Sequence, residues 1–384
     1  MKPLFSVVLI ARNESKTLPR LVESLKEFKE RGGEICLLDT GSTDNTPEIA
    51  RSLGCKVEEV GDRFRIKFDK EMTDKINQHF IVEGEEPIMK EGDSNFDYSS
   101  ARNYAATLSS NDFIATPDCD EIYTKFDIDK INSEIEKGAT QFEYNFVFAH
   151  DENGKPLIQF MHSKFYDRRV LKWVGIIHEV LSGNSKCVLL DESIIKLEHF
   201  QNVETNRSHY LTGLAYDCFI NPENDRNSHY MGRELMYRGR FKSAIREFKR
   251  HILMNKWPTE AAQSMAFIGD CNIYLGDKEE ALSWYLKSFD KEPNRREPIM
   301  KISEYYYRNN RPFESMIFAE AALKIKGVNY YANHQPYYEH VPHEILYWAY
   351  WQLGDVEKSK DHFLKAFAFD PKNPKYINDQ KFYS

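Results

Sequence analysis

The segment Asp118-Cys119-Asp120-Glu121, entered through the apolar run Phe113-Ile114-Ala115, sets two carboxylates two residues apart where a buried strand should end. Such a pair can share a divalent cation, and the cation can in turn neutralise a diphosphate. The same spacing also arises by chance in an acidic chain as a solvated turn, so its surroundings decide its meaning. Two further polar loops leave apolar runs in the same way: Ala11-Arg12-Asn13-Glu14 after Phe5 to Ile10, and Asp39-Thr40-Gly41-Ser42-Thr43-Asp44 after Glu34 to Leu38. Polar groups at the carboxyl ends of strands lie where open α/β sheets bind ligands. The second loop offers carboxylates to a base or ribose and backbone N–H groups at a helix start, with a plain capping run as the bland alternative. No G-x-G-x-x-G follows the first apolar run and no G-x-x-x-x-G-K-[ST] occurs, so the dinucleotide and P-loop readings lose their main support.

These loops need elements to hold them, and the first two hundred residues supply an alternation of short β-rich runs and helical patterns. Phe5 to Ile10 is followed by an amphipathic stretch from Thr17 to Lys29, by Glu34 to Asp39, by a helix from Thr46 to Leu53, and by Val57 to Val60. Such alternation predicts a mostly parallel sheet built by βαβ crossovers. Residues 61–96 are charged and read as an insertion, with a helix from Phe68 to Phe80. A helix from Tyr98 to Leu108 delivers the chain to Phe113, a further helix falls near Asp127 to Lys137, and Gln141 to Phe148 with Leu157 to Tyr166 form a hairpin across Asn153-Gly154.

From about Tyr230 the pattern is purely helical and repeats itself. Gly232, Gly239, Ala244 and Phe248 recur as Gly269, Gly276, Ala281 and Tyr285, closed by Pro293. Weaker copies set Asn310, Ser315, Ala319 and Ala322, then Gly354, Ser359, Phe363, Ala366 and Pro371, at matching offsets. These units resemble tetratricopeptide repeats, in which small residues let paired helices touch. Gly327 to Pro342 reads as an insertion between the third and fourth units. The division expected is therefore a domain over 1–205, a linker over 206–228 and helical repeats over 229–384.

Composition bounds what the whole can do. With 384 residues, 41% of them hydrophobic, the chain can bury more than one core. A formal charge of -8 gives no overall basic field for nucleic acid or an anionic membrane. No run approaches the roughly 18 apolar residues of a membrane span, and six scattered cysteines without a C-x-x-C pair fit neither a zinc site nor a disulfide framework. A reduced cytoplasmic setting is the expectation.

Together, Ala11-Arg12-Asn13-Glu14, the Asp39 to Thr46 loop, Ser99-Ser100-Ala101-Arg102-Asn103 and Asp118-Cys119-Asp120-Glu121 stand in the order and rough spacing of family-2 glycosyltransferases of the GT-A fold. Trp173-Val174-Gly175-Ile176-Ile177-His178-Glu179 is similar to the G-x-x-H-E segment those enzymes carry after their D-x-D. The resemblance covers about residues 4 to 200, and the fusion to helical repeats looks like a bacterial and phage subgroup that includes peptide S-glycosyltransferases. It implies an α/β GT-A domain, Rossmann-like with a mostly parallel sheet, followed by an all-α repeat domain.

The resemblance also implies roles. Ala11, Arg12, Asn13 and Glu14, with Asp39, Ser42 and Asp44, would line the pocket of a nucleoside-diphosphate sugar, a UDP-sugar being favoured, and Arg102 would face its diphosphate. Asp118 and Asp120 would hold Mg²⁺ or Mn²⁺, Asp118 also lying against the donor, with His178 as a further ligand that suits Mn²⁺. A core histidine is the alternative for His178, and a solvated helix face for Arg102. Inverting sugar transfer needs a carboxylate to take the acceptor proton. Glu179 and Glu121 are the candidates, Glu179 first, and either can instead orient a metal ligand.

Two departures from the family pattern bear on this. Thr116-Pro117 stands where apolar residues are usual, and proline cannot donate to a sheet ladder. The 61–96 insertion is long and reads either as a lid or acceptor loop or as a surface excursion. The rival from another class is a non-catalytic scaffold, with repeats that recruit a partner and a degenerate nucleotide-sugar domain. A sugar-phosphate nucleotidyltransferase is disfavoured because the first loop lacks glycines. Peptide, glycan and modified DNA all stand as acceptors, no integral membrane contact is expected, and the repeats offer a surface for a homodimer.

Overall fold

The computed structural model describes residues 1–150, 154, 156–200, 210–254, 256–326 and 334–383. The chain forms two compact units, one of residues 1–73 and 90–217, the other of 74–89 and 218–384.

The first unit is built on a nine-stranded sheet. Its members are β1 (Phe5–Ala11), β2 (Glu34–Asp39), β3 (Lys56–Glu59), β6 (Phe113–Ala115), β7 (Glu121–Phe126), β8 (Gln141–His150), β9 (Pro156–Asp167), β12 (Cys187–Leu189) and β13 (Ile195–His199). Two ribbons stand apart, β4 (Arg65–Lys67) with β5 (Ser94–Phe96), and β10 (Leu171–Val174) with β11 (Val180–Gly183). The order is β3-β2-β1-β6-β9-β8-β13-β7, with β12 also on β8. Five of the eight pairings are parallel, as the alternation implied. β9 and β7 run against their neighbours.

Val7 to Ala11 of β1 and Ile35 to Leu38 of β2 are continuous apolar runs because helices cover both faces of the sheet, the condition under which strands lose their alternation. On one face Phe5, Phe113, Phe142 and Phe165 pack with Phe28 in an aromatic core, Phe5 and Phe165 having ring centroids 4.8 Å apart. On the other face Val8, Leu38 and Ile114 meet Ala101 and Ala105 of α5 (Tyr98–Ala106). The expected first helix divides at Leu25 into α1 (Leu18–Ser24) and α2 (Lys26–Glu30), and α3 (Thr46–Ser52) and α6 (Ile128–Glu136) form where the periodicity put them. The β8–β9 hairpin forms as well, while residues 151–153 of its expected turn lie outside the described set. Pro117 falls just beyond β6, so it interrupts no ladder, and Thr116 makes the last link by donating its N–H to the Lys164 carbonyl at 2.7 Å.

The 61–96 stretch is divided between the units. The β4–β5 ribbon belongs to the first, and residues 74–89, which contain most of α4 (Lys70–Phe80), belong to the second. There Asn77 holds the chain with hydrogen bonds to Ile88, Met89 and the Met89 carbonyl, and the Val82 N–H donates to Ser243 Oγ at 2.8 Å.

The second unit stacks helix pairs. After α7 (Tyr210–Ile220), which ends across the boundary, come α8 (Asp225–Tyr237) with α9 (Phe241–Met254), α10 (Pro258–Leu275) with α11 (Lys278–Lys291), α12 (Arg296–Arg308) with α13 (Pro312–Lys324), and α14 (His340–Gln352) with α15 (Val356–Phe369). Each pair turns on a left-handed residue at the same offset: Gly239 (φ 74°), Gly276 (φ 85°), Asn310 (φ 55°) and Gly354 (φ 82°). Asn310 replaces glycine because its short polar side chain tolerates that region. Five residues on, Ala244, Ala281, Ser315 and Ser359 are buried without residue, and a Cβ on Gly232 would stand 2.5 Å from the Phe248 ring. Close approach of paired helices therefore fixes the repeating small residues. Of the expected 327–342 insertion, 327–333 lie outside the described residues, and Gln335–Tyr338 forms a 3₁₀ turn before α14.

Candidate active site

At the carboxyl ends of β1 and β6 the first unit opens a cleft of about 590 Å³. Ala11, Arg12 and Glu14 line it from the first loop, Asp118 and Asp120 from the acidic turn, Arg102 from α5, and His178 and Glu179 from the β10–β11 connection. Four short sequence segments, spread from Ala11 to Glu179, thus meet at one place.

The two amino-terminal loops are stitched together. Thr40 N–H donates to the Ala11 carbonyl at 2.9 Å, Asn13 N–H to Ser42 Oγ at 2.9 Å, and Thr43 N–H to Asn13 Oδ1 at 2.7 Å. Asn13 holds a left-handed backbone (φ 60°) to make this exchange. Asp39 Oδ1 accepts from the Gly41 and Ser42 N–H groups at 3.0 Å each, while its buried Oδ2 has no partner among the described residues. Asp44 ties the loop down from Ser15 and Thr46; burial works against its charge, but these hydrogen bonds outweigh it and keep the carboxyl below its ordinary range. Asn13, Asp39, Ser42 and Asp44 therefore shape the wall through the loops. Glu14 faces the cleft, and burial first, then the Asp120 and Asp118 charges, push its carboxyl up.

Asp118 is gripped by two cations. Arg102 Nη2 reaches Oδ1 at 2.6 Å and Lys164 Nζ reaches Oδ2 at 2.6 Å. Burial opposes its charge, yet Arg102 and Lys164 together hold the carboxyl far below the usual range. Arg102 is itself buried and donates through Nε to Glu179 Oε1 at 3.1 Å, so one guanidinium fixes both carboxylates, with its plane over Trp173. Fork geometry of this kind is what arginine provides and lysine does not. Glu121 sits behind the turn, 2% exposed, accepting from the Asp118 N–H at 2.8 Å and paired with Lys164. Burial pushes its carboxyl up and Lys164 pulls it back. Its position is that of a brace for the turn.

Asp120 turns the other way, to His199, which no sequence motif had singled out. Its Oδ2 lies 3.1 Å from His199 Nε2, and His199 Nδ1 lies 3.1 Å from the Phe148 carbonyl. Because a carbonyl only accepts, Nδ1 carries a proton, and Nε2 is the nitrogen presented to Asp120. The Asp120 hydrogen bond, against the opposing effect of burial, raises the affinity of the ring for a proton. His178, also in the cleft wall, instead bonds the Tyr210 hydroxyl and has a left-handed backbone (φ 55°) within the loop between β10 and β11. That loop is held by Asp217, whose Oδ2 accepts the Ile176 N–H at 2.7 Å, and by Ser99 Oγ on the Gly175 carbonyl. A histidine ending a strand of alternating pattern, Ile195-Lys196-Leu197-Glu198-His199, was the available signal for the missed residue.

The donor set bears on whether a cation fits. Glu14, Asp118 and Asp120 bring like charges to one cleft, and Asp120 with His199 offers one oxygen and one nitrogen on adjacent atoms. Their 3.1 Å separation matches the edge of an octahedron with bonds of about 2.1 Å, roughly 3.0 Å. No group of three or more His, Cys, Asp or Glu side chains among the described residues could enclose an ion alone. A bound cation would therefore take its other ligands from a substrate and water, as Mg²⁺ and Mn²⁺ do in phosphate sites.

A mixed sheet with a polar, acidic cleft at its carboxyl edge and a separate stack of paired helices defines a two-part α/β plus helical-repeat protein. Residues 6–65 match the glycosyl transferase family 2 model, and residues 348–373 match the tetratricopeptide repeat model. The chain thus carries a family-2 glycosyltransferase domain at its amino terminus and a tetratricopeptide repeat near its carboxyl end. A curated relative, the 4,4'-diaponeurosporenoate glycosyltransferase of Staphylococcus haemolyticus (strain JCSC1435), is 47% identical over 55 residues, 14% of each chain. The match spans about a seventh of that relative's length, 14%. Among solved structures, the chain resembles MamA (15% identity, TM-score 0.36, 46% of this chain and 99% of that one). It also resembles Pseudomonas aeruginosa PilF (12% identity, TM-score 0.37, 44% and 72%). A third likeness is to YrrB, described as a TPR protein with an unusual peptide-binding site (12% identity, TM-score 0.34, 46% and 82%).

Proposed function

We propose that the first unit transfers a sugar from a nucleoside-diphosphate donor to an acceptor with inversion, assisted by a divalent cation at Asp120 and His199. The observation that carries this reading is the meeting of Asp120, His199, Arg102 and Glu179 around one cleft at the carboxyl edge of the sheet. The cation, Mn²⁺ by preference because imidazole suits it, supplies charge neutralisation for the departing diphosphate.

The chain's own residues do the rest. Asp39 Oδ2, buried and unpaired among the described residues, is an acceptor that a base N–H or a ribose hydroxyl satisfies, relieving a group that is costly to leave unmade. Glu179 is held by Arg102 through Oε1, and its Oε2 has no partner among the described residues. That oxygen takes the proton of the acceptor nucleophile as the new bond to the anomeric carbon forms and the bond from that carbon to the diphosphate oxygen breaks. Arg102 holds Glu179 in place and aimed for this step. Asp118, already paired with Arg102 and Lys164, sets the position of Asp120 through the turn.

The helical unit supplies a surface for a protein partner, for the acceptor or for a second copy, as tetratricopeptide stacks do. Thermal denaturation of the full chain with uridine diphosphate, with and without Mn²⁺, tests the reading. Stabilisation that requires both together is expected. A Tm unmoved by the pair would leave the non-catalytic scaffold.

A further inference from the structure

The outer edge of β9 is open beside the cleft. Among the described residues, β6 pairs with β9 only at Phe165, Tyr166 and Asp167, and Thr116 adds one bond to the Lys164 carbonyl. The chain then leaves this line for the Asp118–Asp120 turn. Beyond that point β9 pairs with β8 alone, from His162 to Pro156, so among the described residues no strand fills the place a longer β6 would take. Ile158 (47%), Phe160 (45%) and Met161 (43%) are all exposed along it.

Proteins protect such edges with charges, proline or very short strands, because a row of free amides and carbonyls recruits another chain. The other edges of this sheet follow that rule. β3 is Lys56-Val57-Glu58-Glu59, and β7 carries the exposed Lys125. The stretch Ile158-Gln159-Phe160-Met161-His162 has neither a formal charge nor a proline. Only one kind of ligand answers a strand edge with apolar side chains on it: an extended polypeptide, whose backbone pairs with the amides and whose alternate side chains rest on Ile158 and Phe160 or on Met161. A glycan or a lipid chain offers no such ladder.

The edge also leads to the reacting groups. It ends at Lys164, whose ammonium holds Asp118 Oδ2 at 2.6 Å, and Phe148 of the paired strand stacks on His199 at 5.4 Å between ring centroids. We infer that β9 binds an extended, apolar segment of a peptide acceptor by strand addition, in line with β6 and running to the mouth of the cleft. This inference rests on the glycosyl-transfer reading of that cleft.

Selection of a random dodecapeptide library on the immobilised full chain, run in parallel on Phe160→Asp and Ile158→Pro, provides the test, read out by hydrogen exchange of the 156–167 segment. The wild-type chain is expected to enrich peptides of alternating apolar pattern that slow exchange in that segment by about tenfold or more. Both variants should lose that enrichment while keeping the stabilisation by uridine diphosphate and Mn²⁺, which shows that they are folded. Equal enrichment by the variants, binding that leaves 156–167 unprotected, or protection that rises with protein concentration in the absence of peptide would overturn strand addition, the last by making the edge a contact between copies of this chain. Absence of nucleotide stabilisation in all three proteins would instead strike the glycosyl-transfer reading.

Discussion

Asp120 Oδ2 and His199 Nε2 lie 3.1 Å apart across the sheet, with the far nitrogen of the imidazole fixed by the Phe148 carbonyl. A backbone carbonyl that accepts from the other ring nitrogen and so fixes the tautomer is the usual support for a metal-binding imidazole. Replacing His199 with alanine should weaken Mn²⁺ binding in the presence of uridine diphosphate by more than about tenfold, read from the electron paramagnetic resonance of free Mn²⁺. His178→Ala should leave that affinity within a factor of about two, because His178 bonds Tyr210. The reverse ranking would move the cation to the β10–β11 loop.

Glu179→Gln should retain nucleotide binding and lose transfer by about 10²- to 10⁴-fold, the range of a missing general base. Single-turnover rates with a labelled donor measure it. The same loss from Glu121→Gln with Glu179→Gln active would exchange their roles.

Lys164 neutralises Asp118 and Glu121 from a position that is 6% exposed. Lys164→Ala leaves both carboxylates facing each other without their shared cation, and should cost about 3–5 kcal/mol of stability. Chemical denaturation of the first unit, followed by the fluorescence of Trp173, reports it. An unchanged midpoint would mean that Arg102 alone suffices.

Gly269 and Gly232 lie under the rings of Tyr285 and Phe248. Alanine at either site must push the facing helix away and should destabilise the helical unit by about 1–3 kcal/mol. A variant as stable as the parent would show that the helices do not touch there.

Two buried histidines make the helical unit sensitive to acid. His229 Nδ1 and His251 Nδ1 contact Ser264 Oγ at 2.8 and 2.9 Å, and burial above all depresses their affinity for protons, to about 3 for His229 and about 4 for His251. Near neutrality both are uncharged, folded or unfolded. Below the ordinary value of about 6.5 the unfolded chain takes up protons that the folded one refuses, so stability falls with pH, by up to about 1.4 kcal/mol per unit for each ring. The loss should run from about pH 6.5 down to about 4 and be shallower in His251→Gln. Denaturation midpoints across this range check it, and a flat profile would place both rings in contact with solvent.

Much of this was legible in the residues. The apolar runs of β1 and β2 exposed the parallel half of the sheet, and the spacing of Gly239, Gly276, Asn310 and Gly354 marked every helix-pair turn because each needs a left-handed backbone. The meeting of Arg102, Asp118 and Glu179 followed from the order of motifs, although the detail that one guanidinium holds both acids did not. His199 escaped notice because its partner, Asp120, is 79 residues away and only the pairing of β13 with β7 brings them together. Residues 74–89 belong with the helical unit for a similar reason: the bond from Val82 to Ser243 joins positions 161 apart. Local pattern specifies strands and turns, whereas contacts at such separations depend on strand order and on which surface each segment finds.

Release of nucleoside diphosphate from a panel of sugar nucleotides, measured on the full chain with Mn²⁺, with a chelator, and in Asp120→Ala, tests the central claim most directly. The account requires at least one donor to be turned over by the wild-type protein with Mn²⁺, and that turnover to disappear with the chelator and in the variant. Turnover that persists in Asp120→Ala, or no release from any donor by the wild-type protein, would contradict it.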